Sequence, residues 1–216
     1  MLSLNNLIGF WQAPRAPIDK IYVGTSSSSS GQASAYTFSS VNLGAARSGR
    51  IVVLAITVKD TNSPYISSVT VNGVAATPAV VIRNSNGQTS AIYFIENSAS
   101  TSGTIVINVP DSASNCSVTV YNIHNATSSV PITGSSTGNP PAAVNLSLPA
   151  AAVAVGVSAT NNRLTATWSG LTKDINTAIG SSNDDYSTAS GYLAVGSNSL
   201  SVNYQSNVSV AFAAWR

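Results

Sequence analysis

One histidine, one cysteine and seven carboxylates are the whole stock from which this 216-residue chain could build a metal, acid–base or thiol site. His124 stands alone, so a multi-histidine metal centre is excluded and any Ser-His-Asp arrangement has to use it. It ends the run SVTVYNIH, where a polar residue at a strand end is the simpler account, and dozens of serines make a nearby Ser uninformative. Cys116 opens the same run in phase with Val118 and Val120 and has no basic neighbour in sequence to lower its pKa, so it reads as a small buried side chain. The acids Asp19, Asp60, Glu96, Asp111, Asp174, Asp184 and Asp185 are scattered, whereas a glycosidase needs two at a defined separation. Asp184-Asp185 in SSNDDY offers oxygen ligands for Ca²⁺ but lacks the alternating Asp/Asn spacing of a calcium loop, and a solvated turn is expected there. Neither a P-loop nor GxGxxG occurs. The expectation is a non-enzyme with no catalytic, cofactor-binding or metal-binding residues and no cofactor. An aromatic glycan platform could draw on Trp168, Tyr186, Tyr192 and Tyr204, although such residues more often serve the core and strand pairing.

The elements that would carry these residues are strands. Period-two or short apolar runs appear at 50–59 (RIVVLAITVK), 89–96, 104–109, 117–123, 144–148, 151–158, 164–168, 199–204 and 207–215. Gly, Asn, Ser and Pro clusters such as RNSNGQ, ENSASTSG, TGSSTGNPP and GSSNDD separate them. SSVTVNGVAAT, residues 67–77, alternates Val69 and Val71 and then reaches Asn-Gly, the signature of a tight hairpin. No segment has convincing helical periodicity. The fold class expected is all-β: an antiparallel two-sheet sandwich, with residues 20–216 as one domain. In RIVVLAITV both alternating sets are apolar, which marks a central strand covered on both faces. In AAAVAVGVS the valines 153, 155 and 157 should fill the inter-sheet core, and Ala152, Ala154 and Gly156 leave room for a close neighbour.

Only 7% of residues are charged, against about 25% in ordinary domains, so solubility must rest on Ser, Thr and Asn. Hydroxyls and amides are cheaper to cover than ions, which suits a protein whose faces are occupied in an assembly; on composition alone a Ser/Thr-rich monomer fits equally well. The nine basic residues are scattered, so no nucleic-acid partner is expected. The start MLSLNNLIGFWQ lacks the pattern of a signal peptide, and the small-apolar run at 150–159 is too short to cross a bilayer; no membrane partner and assembly in a cytoplasm are expected. One cysteine allows no internal disulfide. Residues 1–19 read as an N-terminal arm, with Leu2, Leu4, Leu7, Ile8, Phe10 and Trp11 followed by Pro14 and Pro17. Leu4, Leu7, Ile8, Phe10 and Trp11 are candidate partner-binding residues; the same run could equally lie across its own sandwich. The stretch 24–34, GTSSSSSGQAS, reads as a flexible linker.

The runs FSSVNLGAARSGRIVVLAITV, SSVTVNGVAAT, TSAIYFIENS, ATWSGLTKD and VSVAFAAW, with the opening LNNLIGFW, together resemble small all-β virion structural proteins of tailed bacteriophages. The likeness spans about residues 36–216 as an order of motifs. It implies a jelly-roll-like sandwich that decorates the capsid, or is attached at the neck or tail, through an N-terminal segment. It also implies a location in the virion, other virion proteins as partners (major capsid or neck and tail proteins) and homo-oligomerisation. No catalytic residue carries over.

Overall fold

The computed structural model describes residues 16–29, 31–59, 66–97, 99–161, 165–179 and 184–216. These form seventeen β-strands in antiparallel sheets, and no helix occurs among them. The Leu4, Leu7, Ile8, Phe10 and Trp11 assignment falls outside the described residues.

The first nine strands are β1 (Asp19–Ser28), β2 (Ala33–Asn42), β3 (Ile51–Lys59), β4 (Ser68–Val71), β5 (Val74–Ala75), β6 (Thr77–Arg83), β7 (Gln88–Glu96), β8 (Ser102–Ala113) and β9 (Asn115–His124). They make an inner sheet in the order β1-β9-β3-β7-β6 and an outer sheet in the order β2-β8-β4-β5. Between these lies a core that includes Tyr36, Phe38, Leu54, Ile56, Val69, Val71, Ile105, Ile107, Val118 and Val120. The 67–77 hairpin forms as its sequence predicts. Val71 pairs with Val74, and Asn72 and Gly73 both take positive φ, which a two-residue hairpin turn requires.

The next eight strands are β10 (Ile132–Gly138), β11 (Ala142–Leu148), β12 (Ala152–Thr160), β13 (Thr167–Ser169), β14 (Thr172–Ala178), β15 (Asp185–Leu193), β16 (Gly196–Asn203) and β17 (Val208–Trp215). Their sheets run β10-β17-β12-β15-β14 and β11-β16-β13. This is the same order as in the first half, strand for strand, with only the short β5 unmatched. The register matches too: Val53 faces Tyr121 and Phe94 in one half, as Val155 faces Ala213 and Ser190 in the other. Even an irregularity repeats. The pairing of β6 with β7 slips between Pro78 and Val80, opposite Tyr93 and Ile92; that of β14 with β15 slips between Lys173 and Ile175, opposite Ala189 and Thr188. The chain is therefore an internal structural repeat. Its faint trace in sequence is SNCSV at 114–118 against SNVSV at 206–210.

The two inner sheets stack face to face: β12 lies on β3 and β7, β17 on β6 and β7, and β10 on β6. On the far side Tyr121 of β9 reaches β14 and β15. Strands β3 and β12 thus sit at the centre of an approximate two-fold, isologous arrangement. The two sheets expected are in fact four, enclosing three cores. A strand with two apolar faces serves two cores at once: Val52, Leu54 and Ile56 fill the first, and Ile51, Val53 and Ala55 enter the seam between halves. Val153, Val155 and Val157 likewise point into the seam, while Ala154 faces the third core, with Val210 and Phe212. The expected close neighbour is Trp168: a Cβ on Gly156 would come within 2.8 Å of its ring. All the alternating valines of 53, 69, 71, 118, 120, 153, 155, 157, 208 and 210 are buried, as is Phe212.

Two polar stretches differ from expectation. Thr25–Ser28 is not linker but the second part of β1, held by β9, and most of TGSSTGNPP belongs to β10 and its turn. Ladder hydrogen bonds hold such strands without apolar side chains. Part of the 164–168 run becomes β13, and residues 162–164 lie outside the described residues. Truncating a valine of the seam removes apolar burial and leaves space that neighbouring strands cannot fill. Val155→Ala should therefore lower stability by about 1–3 kcal/mol, read from urea unfolding followed by circular dichroism.

Candidate functional site

Each chemically capable side chain is placed by a particular strand end. His124 closes β9 opposite Asp19 and is buried, and its Nδ1 has no hydrogen-bond partner among the described residues. Burial, and then the nearby Arg47, push its pKa below the ordinary 6.5, so it is neutral at pH 7. Cys116 is fully buried on β9, and burial pushes its thiol far up, which leaves it a poor nucleophile. His124 and Cys116 lie at opposite ends of one strand, so they do not meet.

The Asp184-Asp185 pair is a correction, because it is no solvated turn: both residues are buried. Asp184 forms an ion pair with Lys59 at the end of β3 and accepts a 3.0 Å hydrogen bond from Asn115 Nδ2. It therefore ties the second half to the first. No local pattern around Asp184 hints at this, since Lys59 is 125 positions away. Among the described residues no three His, Cys, Asp or Glu side chains gather where a metal could bind.

The remaining polar clusters also hold parts together. In the seam the Tyr121 hydroxyl is hydrogen-bonded to Asp174 (2.9 Å) and Thr188 (2.7 Å), and Ser190 donates to the same carboxylate at 2.6 Å. Burial and the Asp174 charge raise the Tyr121 pKa well above 10. Elsewhere in the seam Ser90 and Ser209 hydroxyls lie 2.8 Å apart. Arg50, wholly buried, spends its guanidinium on the carbonyls of Leu43, Gly44, Ala45, Asn97 and Ser100, clasping the loop before β3 to the loop after β7. Burial lowers its pKa, yet the guanidinium stays charged. Its role was illegible in sequence, because all but one of its hydrogen bonds, the 3.4 Å contact with Asn97 Oδ1, go to backbone carbonyls.

The four aromatics of a possible glycan platform do not assemble. Tyr186 and Tyr204 are buried, Tyr204 within reach of the Ser158 hydroxyl. Trp168 packs edge-on against Phe212 and donates to Ser187, and only Tyr192 is exposed. An open polar depression of about 330 Å³ is lined by Thr165, Thr167, Asn203, Tyr204 and Gln205, which bring no charge.

What the structure does assemble is two outer faces poor in charge. Along the outer sheet of the second half, exposed Asn145 and Ser147 stand opposite exposed Ser199 and Ser197. The outer sheet of the first half presents Thr37 opposite Val106 and Ser68 opposite Asn108. Apart from Asp111 in β8, whose side chain is not described, no strand of either outer sheet carries a charged residue. The charges sit on β1, β14, the ends of β3, β6 and β7, the start of β15 and the loops. Searches against protein-family models, curated proteins and solved structures found no match to this chain.

The histidine makes a pH prediction. A folded-state pKa below the unfolded value means the unfolded chain binds the proton more readily, so stability is full above about 6.5 and falls as pH drops below it. His124→Gln should flatten this part of the stability profile, measured as urea midpoints between pH 7.5 and 5.

Proposed function

We propose that this chain is a non-enzymatic virion structural protein of a tailed phage, a capsid decoration protein held by its N-terminal arm and its sheet faces. The observation that carries the reading is the absence of charge from the strands of both outer sheets, Asp111 excepted. Two broad faces of hydroxyl, amide and methyl groups lose little solvation when a neighbouring protein covers them, and a freely dissolved protein ordinarily intersperses charges there. The resemblance in motif order supplies the setting, and the apolar arm supplies an attachment segment of the kind that setting implies.

We read each half as a jelly roll. The order β1-β9-β3-β7 opposed to β2-β8-β4-β5 supports this, as does its repeat in the second half. Such a stack suits a structural role because its strength is distributed through three cores rather than concentrated at one site.

The test is retention on purified particles. The chain lacking residues 1–15 should fold, with an unchanged β-type circular dichroism spectrum, and be lost from particles. Asn145→Glu with Ser199→Glu should weaken retention of the full chain at least about tenfold by placing two carboxylates where a neutral face meets its partner. Full retention of both variants would overturn the proposal.

A further inference from the structure

One cluster at the seam brings together an amine, a carboxamide and a carboxylate, the groups of a self-contained acyl transfer. Lys59 ends β3 and Asn115 opens β9, and the two are direct partners in the antiparallel ladder. Directly opposed side chains share a face, with Cβ atoms about 4.5–5.5 Å apart, a gap that a lysine amine spans to reach its neighbour's side-chain amide. The next pair on that face is in contact across the strands, the Thr57 and Ser117 hydroxyls lying 2.7 Å apart. The backbone is fixed here as well, since the Lys59 carbonyl accepts a 2.9 Å hydrogen bond from the Ser114 N–H.

Asp184 reaches this pair from the other half of the chain. Its Oδ1 meets Lys59 Nζ at 2.5 Å, and its Oδ2 accepts from Asn115 Nδ2 at 3.0 Å, so one carboxylate holds both nitrogens. Asn115 and Asp184 are buried and the Lys59 side chain is 23% exposed, which largely shields the three groups from water. The repeat supplies a comparison. SNCSV contains Asn115 and SNVSV contains Asn207. Val58 pairs with Cys116 as Thr160 pairs with Val208, so the residue in the place of Lys59 is Asn161. Asn207 donates to Ser85 Oγ instead. The asparagine thus belongs to both halves, and the amine to one.

We propose that Lys59 and Asn115 join through an isopeptide bond, with Asp184 as the catalytic carboxylate. Asp184 takes a proton from the Lys59 ammonium, and the freed electron pair attacks Cγ of Asn115 to form the new N–C bond. Asp184 passes its proton to Nδ2, the Cγ–Nδ2 bond breaks, and ammonia leaves. The surplus proton on the new amide nitrogen returns through the carboxylate to that ammonia. One ammonium ion is lost, Asp184 is regenerated, and no other reactant enters. The step is a single turnover within one chain. It waits for the seam to close, because amine and amide come from the first half and the carboxylate from the second, which aligns all three only in the folded repeat. The product staples central strand β3 to β9, the strand that completes its sheet.

The experiment weighs the purified full chain under denaturing conditions by mass spectrometry. Its mass should lie about 17 Da below that of the sequence, the ammonia lost. Trypsin should leave residues 51–83 joined to 84–163 and uncut after Lys59, with fragmentation placing the branch between Lys59 and Asn115. Asn207, in a different tryptic peptide, should be unchanged. Lys59→Arg and Asp184→Ala should each show the full mass and no branched peptide. An unshifted mass in the unmodified chain overturns the proposal. So does the same deficit without a branch, which an asparagine closing on its own backbone would give. A deficit of about 18 Da with the branch at Asp184 also overturns it, since water has then left in place of ammonia. These readings are made on the unmodified chain and hold even if a variant fails to fold.

Discussion

The seam between the inner sheets is the contact on which the rest of the architecture depends. Each half has a core of its own, yet its inner sheet presents Ile51, Val53, Ala55 and Phe94, or Val153, Val155, Val157 and Trp215, on the face away from that core. Left in water, either face would be an apolar patch of the size that drives association. Putting one against the other removes both. Among the described residues the outer sheets are then the broad faces left to solvent or to partners, and their strands carry Ser, Thr and Asn in place of charge, Asp111 excepted.

The approximate two-fold relation is not carried through to side-chain chemistry. Where β7 meets β17, Phe94 packs edge-on against Trp215 with centroids 6.0 Å apart. At the related place on the other side, Ser190 stands where Phe94 does, and the Tyr121, Asp174 and Thr188 hydrogen bonds fill the gap. The dry side supplies non-directional attraction, whereas the polar side fixes how the sheets are aligned, because the buried hydroxyls of Tyr121 and Thr188 are costly unless each finds its partner, and the half-buried Asp174 carboxylate supplies one. Asp184 with Lys59 and Asn115 adds a second fixed point.

Much of this was legible in the chain, and the limits are physical. Alternation revealed β3, β9, β12 and β17, since their apolar residues must line a core, and it revealed the 72–73 turn. It could not reveal β10 or the tail of β1, whose polar residues are held by backbone ladders. Nor could it count sheets: a strand apolar on both sides must have both faces covered, but the pattern does not say whether another sheet of the same chain or a different element covers the second face. The candidate chemistry was readable mainly by its poverty. Residues that turned out to matter, Arg50 and Asp184, act on backbone carbonyls or on partners more than forty positions away, and spacing along the chain holds no record of either.

Closure of each half by its own last strand has a consequence for synthesis. Strand β9 inserts between β1 and β3, and β17 between β10 and β12, so neither inner sheet is complete until its final strand has emerged. The first half can therefore finish at His124 while the cover for its seam face is still to be made, and that cover is complete only at Trp215. At about 5–20 residues per second the interval lasts roughly 5–20 s, during which a finished sheet shows a naked apolar face on the ribosome. Neighbouring chains on one messenger pass through the same stage in turn and show the same face. The linked repeat wins that competition by proximity: its second half arrives tethered by the short stretch between His124 and Ile132, at an effective concentration that separate chains do not reach.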